Sequence, residues 1–224
     1  MTRTPVRRLA GLALVSTFLL TGCGSVTGFN PGVAVRVQDD TVSTDQVRAT
    51  ATAYCSASTE SQPGQVVPNH YIAGLAASSY AVRSAADQLM ADHGVTIDSS
   101  YDQAIDGAQK QLAPLSDAQR EAVIQVSAAS LYVAAAETAV GRDVLGGSPS
   151  DDDAQAAGAK EFASWLDDHD VRIDPRYGVS VDQGTVVATD TSLSFALGDT
   201  AKKADAAQPD AAYAATLPAS QRCG

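Results

Sequence analysis

Val33-Ala34-Val35-Arg36-Val37-Gln38-Asp39-Asp40-Thr41-Val42-Ser43-Thr44-Asp45-Gln46-Val47 is the stretch on which the fold turns. Its first five residues alternate apolar and polar at their end, which predicts a short strand over Val33–Val37. Asp39-Asp40 predicts a turn. Val42 is followed by Ser43 and Thr44, either of which can accept a hydrogen bond from the first turn of a helix. The spacing of Val47, Ala51 and Tyr54 then predicts a helix to about Cys55, with those three residues on one side. A Ser-, Pro- and Gly-rich loop follows over residues 56–68.

Beyond that loop the period stays helical. Ile72, Leu75, Val82, Ala86 and Leu89 predict a helix over residues 69–93, which Gly94 stops. Val95-Thr96-Ile97 reads as an extended connector. Asp98 or Ser99 opens a third helix with Tyr101, Ile105, Ala108 and Leu112 inward, ended by Pro114. Ser116-Asp117-Ala118-Gln119 has the form of a capping box. The apolar repeat after it, from Val123 to Val140, predicts one long helix reaching about Leu145. Gly146-Gly147-Ser148-Pro149 breaks the pattern. Ser150 caps a fifth helix, with Asp151, Asp152 and Asp153 at its positive end and Phe162, Trp165 and Leu166 on its apolar face. After His169 the valines of residues 171–187 predict short strands, with a turn at residues 174–178. From Leu197 the composition is that of a polar tail. The predicted class is mainly α: a bundle of about five helices with a small β element made by the N-terminal strand and the C-terminal extended segments. Alanine is abundant and aromatic residues are only 5% of the chain, which favours closely packed helices.

The start of the chain is of another kind. Arg3, Arg7 and Arg8 precede an uncharged apolar run over residues 9–20, shorter than the ~20 residues a permanent span needs. This is the layout of an export signal. It ends Leu20-Thr21-Gly22-Cys23, which resembles the bacterial lipobox. Cleavage is expected between Gly22 and Cys23, with the Cys23 sulfur carrying diacylglycerol and the acyl chains anchoring the protein to the bilayer on the extracytoplasmic face. Residues 1–22 would then be a lipoprotein signal peptide, 23–32 a tether, 33–198 the helical domain and 199–224 the polar tail. Removing residues 1–22 leaves twelve Lys+Arg against 26 Asp+Glu, a formal charge of −14. That charge argues against nucleic acid as a partner.

Cys55 and Cys223 are the remaining cysteines. In an exported chain an even pair reads as a disulfide, which would tie the polar tail to the end of the first helix. No nucleophile elbow, phosphate loop or His-Glu-x-x-His is present. His70, His93 and His169 lie far apart, and His169 in Asp167-Asp168-His169-Asp170 has no second histidine at ligand spacing, so neither metal nor cofactor is expected. Trp165 reads as core, Asp151–Asp153 as a charged helix start, and Arg176-Tyr177 as a packing unit.

Residues 33–47 resemble the opening of the SurA amino-terminal domain: apolar strand, turn, apolar residue, Ser/Thr, helix. The closing residues 171–178, Val-Arg-Ile-Asp-Pro-Arg-Tyr-Gly, look like the end of actinobacterial lipoproteins assigned to that group. The resemblance covers roughly Val33 to Val187. It implies a peptide-binding chaperone or assembly factor for unfolded or extended exported polypeptides. In SurA and in lipid-anchored PrsA foldases a parvulin prolyl isomerase is often inserted before the final helix. Here the matching joint, residues 146–150, is far too short to hold one, so no catalytic residue maps and no enzyme is expected. The alternative is a structural or adaptor lipoprotein with one specific folded partner.

Overall fold

The computed structural model describes residues 31–189, 198–204, 206 and 208–224; Gly22, Cys23 and the rest of the expected signal and tether up to residue 30 lie outside the described residues. The described body begins at Gly32.

The opening stretch folds as a hairpin. β1 (Val33–Val37) pairs antiparallel with β2 (Asp40–Ser43) across the two-residue turn Gln38-Asp39, where Gln38 takes a positive φ of 51°. The second strand was not expected: Asp40 and Thr41 are exposed and carry no alternating signal. Ser43 caps α1 (Thr44–Ser61), its Oγ accepting from the Gln46 N–H at 3.1 Å. The helix runs six residues beyond Cys55, into the predicted loop. Residues 56–61 hold neither Pro nor Gly, so nothing local stops it there.

β3 (Val67–Pro68) leads into α2 (Asn69–His93), which ends at Gly94 in the left-handed conformation, φ 65°. This helix is the centre of the molecule. Ala76, Ala77, Ala81 and Ala85 are fully buried, and Val82, Leu89 and Met90 nearly so. Alanine at these positions lets neighbours approach on several sides, and the Ser78 and Ser79 hydroxyls, also buried, donate to carbonyls of their own helix. Val35, Val37, Val47, Val140 and Phe162 complete the core.

α3 (Ser99–Gln111) turns its expected face inward, but none of its residues is fully buried. It is held by a cluster of rings. Tyr132 meets Tyr101 edge-on at 5.3 Å, the Arg83 guanidinium lies 4.2 Å over the Tyr132 ring, and the Tyr132 hydroxyl donates to Asp87. Burial and the neighbouring Asp87 push the Tyr132 phenol well above its ordinary value, so the hydroxyl stays protonated. Tyr132→Ala is expected to cost ~2–3 kcal/mol and to strip amide-exchange protection from α3 first. Loss of protection spread evenly over all helices would contradict this placement.

The predicted long helix is two helices. The capping box forms as expected, with Ser116 and Gln119 bonded in both directions. However, α4 (Asp117–Ser127) stops at Ala128, and α5 (Ala129–Leu145) leaves at 54° to it. No proline or glycine marks the bend. It lets α4 lie along α1 while α5 lies against α2 and α6 (Asp151–Asp168). Among the described residues no single helix is long and apolar enough to cross a membrane.

α5 and α6 touch backbone to backbone. A Cβ on Gly141 would overlap the Ala154 carbonyl, and one on Gly158 would overlap the Glu137 carbonyl. Such a crossing needs glycine at both contact points. Glu137 is half-buried there, and burial raises its carboxyl pKa although a hydrogen bond from Gln155 opposes the rise. A carboxyl with a raised folded pKa favours folding most below its unfolded pKa and loses that contribution as pH climbs through the folded one. Glu137→Gln should therefore raise Tm at pH 7 and leave it nearly unchanged below the ordinary glutamate value of about 4.3. Equal shifts at both pH values would contradict the assignment.

α6 delivers β4 (Val171–Ile173) to the free side of β1, in antiparallel register Val35↔Ile173 and Val37↔Val171, giving a three-stranded sheet of order β2-β1-β4. The turn at residues 174–178 is a single 3-10 turn (Pro175–Tyr177) started by Asp174 and closed by Gly178. β5 (Val179–Asp182) and β6 (Thr185–Ala188) form a hairpin over Gln183-Gly184, both at positive φ. The fold is thus mainly α with small antiparallel β elements. Eight helices are described rather than five, because the fourth divides and the polar tail holds two short ones, α7 (Asp199–Ala204) and α8 (Ala211–Thr216).

Candidate functional site

The C-terminal segment closes on the body at one point. β7 (Arg222–Cys223) pairs antiparallel with β3, Val67 opposite Cys223 and Pro68 opposite Arg222. Cys223 is bonded to Cys55, with Cα atoms 5.6 Å apart, so the expected disulfide is formed. Asn69 Nδ2 donates to the Ser220 carbonyl at 3.0 Å and Ala214 is fully buried, which adds two non-covalent ties.

These ties build a cleft of about 320 Å³. One wall is a face of α1: Arg48, Ala51, Thr52 and Cys55, at helical spacing. The opposite wall is the start of α2, with Asn69, Ile72 and Ala73. Tyr177 of the 3-10 turn and Arg222 of β7 close it. The walls carry two arginines and no acid, in a chain with far more acids than bases.

The two arginines differ. Arg48 Nη2 donates to Asp45 Oδ1 at 2.7 Å, but both side chains are mostly exposed, and a surface pair of that kind is worth only ~0–1 kcal/mol. Arg222 has no carboxylate partner among the described residues. Its Nη1 donates to the Ala215 carbonyl at 2.8 Å, and its Nε–H is buried without an acceptor. A buried polar group left so costs ~1–3 kcal/mol. Thr52 spends its proton on the Arg48 carbonyl, 2.9 Å away. Burial raises the Tyr177 phenol pKa; the Arg176 charge opposes the rise, Asp174 adds to it and Arg48 subtracts least, so the hydroxyl remains a donor at neutral pH.

A second, shallower trough of about 580 Å³ lies between α1 and α4. Its walls mix alanine with short polar side chains, the Asp45–Arg48 pair stands at its α1 edge, and Gln119 donates to Ser56 Oγ at 3.1 Å and Glu60 Oε1 at 2.6 Å.

No protein-family model, curated protein or solved structure matches this chain. Its site residues therefore rest on geometry.

Other residues weighed in the sequence take structural places. Trp165 is buried and donates from Nε1 to Asp92 at 2.8 Å. His169 stacks on Trp165 at 4.1 Å and donates from Nδ1 to the Trp165 carbonyl. His93 sits 3.0 Å from Asp143. Among the described residues no three His, Cys, Asp or Glu side chains are grouped to hold a metal ion. Asp151 pairs with Arg142 and Asp153 accepts from Ser150, as in an ordinary helix start. Arg176 pairs with Asp174 at 3.0 Å. The basic cleft was missed in the sequence. Its one local signal is Arg222, a cation directly beside the cysteine that the expected disulfide would hold.

Proposed function

We propose that this protein is a lipid-anchored, extracytoplasmic, non-catalytic binding protein, an adaptor for one specific partner polypeptide. The observation that carries the choice is where the apolar surface goes. The stripes of α2 and α5 are turned into the core, and the large apolar side chains exposed among the described residues are Leu131, Val144, Leu145 and Val186. These stand at the start of α5, at its end and on β6. A general holding chaperone works through an adaptable apolar groove, whereas polar surface with a defined cleft suits recognition of one partner. The Cys55–Cys223 bond supports residence in an oxidising compartment, and the Cys23 thioether would supply the anchor.

A second reading, a SurA-type chaperone for exported polypeptides, is favoured by the order of elements: hairpin, capped helix, bundle, then α6 returning β4 to β1. Two measurements separate the readings. In crosslinking from membranes the adaptor gives one dominant polypeptide, and the lipid-free chain leaves aggregation of an unfolded client unchanged. Suppression of aggregation near equimolar ratio, with many unrelated crosslinked products, would transfer the conclusion to the chaperone. Turnover of a prolyl-peptide substrate would overturn both.

A further inference from the structure

We propose that the cleft between α1, α2 and β7 is a carboxylate-binding site, with Arg48 and Arg222 as the anion ligands and Ile72 and Ala73 as the apolar floor. The inference does not depend on which partner the rest of the surface binds.

Four observations converge on it. The cleft has the volume of a small-molecule site at the low end of the usual ~300–1,000 Å³. Its charged lining residues are both arginines, although the chain is strongly acidic. Arg222 lines the cleft and has no carboxylate partner among the described residues. Arg48 is committed only to an exposed pair with Asp45, which a ligand can displace.

The chemistry narrows the ligand. Guanidinium groups pair with planar oxyanions through parallel N–H donors, and such bonds are among the stronger hydrogen bonds available. Ala51, Ile72 and Ala73 add aliphatic surface beside the polar Thr52, Asn69 and Tyr177, which suits an anion with a short apolar body. A carboxylate fits both halves; inorganic phosphate satisfies only the basic half. The ligand is therefore a short organic acid or the terminal carboxylate of a polypeptide, which share this chemistry. The neighbouring disulfide fixes Arg222 in place, since Cys223 is the next residue.

The test is titration of the full, disulfide-bonded chain, followed through its arginine side-chain N–H resonances. Butyrate is expected to shift the Arg48 and Arg222 signals saturably, while butyramide does not. Arg48→Gln, on an exposed side chain that leaves the fold intact, should weaken butyrate by about tenfold or more. Arg176→Gln, outside the cleft, should leave it unchanged. Trialanine binding at least tenfold more tightly than butyrate, with trialanine amide silent, assigns the site to polypeptide termini. Equal affinity for butyrate and trialanine assigns it to free organic acids. Equal response to butyrate and butyramide, a response to inorganic phosphate alone, no saturable shift, or full affinity in Arg48→Gln would each overturn the proposal.

Discussion

Gly158→Ala is expected to lower stability by ~3 kcal/mol or more and Tm by roughly 10 °C, although it adds one methyl group to a helix. Alanine is the better helix former by ~1 kcal/mol, so propensity alone points the other way. Packing decides the sign. The new Cβ would overlap the Glu137 carbonyl oxygen, a backbone atom that no rotamer change can move. The α5–α6 crossing must open, and with it the packing of the core to which Val140 and Phe162 belong. Gly107→Ala in α3 is the control. Nothing lies within 4 Å of its Cβ, so the same substitution should stabilise by ~0.5–1 kcal/mol. Two changes of equal sign would show that α5 and α6 do not touch as described.

Reduction of Cys55–Cys223, or the Cys55→Ser variant, is expected to release the C-terminal segment while the helical body stays folded. The bond closes a separation of 168 residues, for which the chain-entropy account gives ~5 kcal/mol, with 2–4 more usual. Without it the segment keeps the short β3–β7 pairing, the Asn69–Ser220 hydrogen bond and the burial of Ala214. Those are few, so α8 and β7 should lose exchange protection with little change in helical circular dichroism. Arg222 leaves the cleft with them, and the butyrate response should fall with reduction. Retained protection of residues 211–223 after complete reduction would show that the non-covalent ties suffice.

What could be read in advance followed from local chemistry. The strand at residues 33–37, the stop at Gly94, the Ser116–Gln119 box and the helix start at Ser150 are each set by neighbours within four residues. The bend at Ala128 could not be read, because Ser127-Ala128-Ala129 is compatible with continuous helix and the break serves packing against α1 and α2. β2 depends on its pairing with β1, a tertiary fact. Gly141 and Gly158 carry no local signal of their own; only the crossing shows that they are its contact points. The disulfide was legible from a count of cysteines and the export signal expected at residues 1–22. The cleft it builds was not, since Arg222 lies more than 150 residues from Arg48 and Asn69 and reaches them only through the disulfide, the β3–β7 pairing and the Asn69–Ser220 hydrogen bond.

The central claim is that this is a lipid-anchored protein working where disulfides persist. Intact-mass analysis of the chain extracted from membranes, after alkylation without reductant, tests it most directly. The account predicts a polypeptide beginning at Cys23, carrying diacylglycerol and taking up no alkylating agent. A chain that retains residues 1–22, bears no lipid and is alkylated at Cys55 and Cys223 would contradict it.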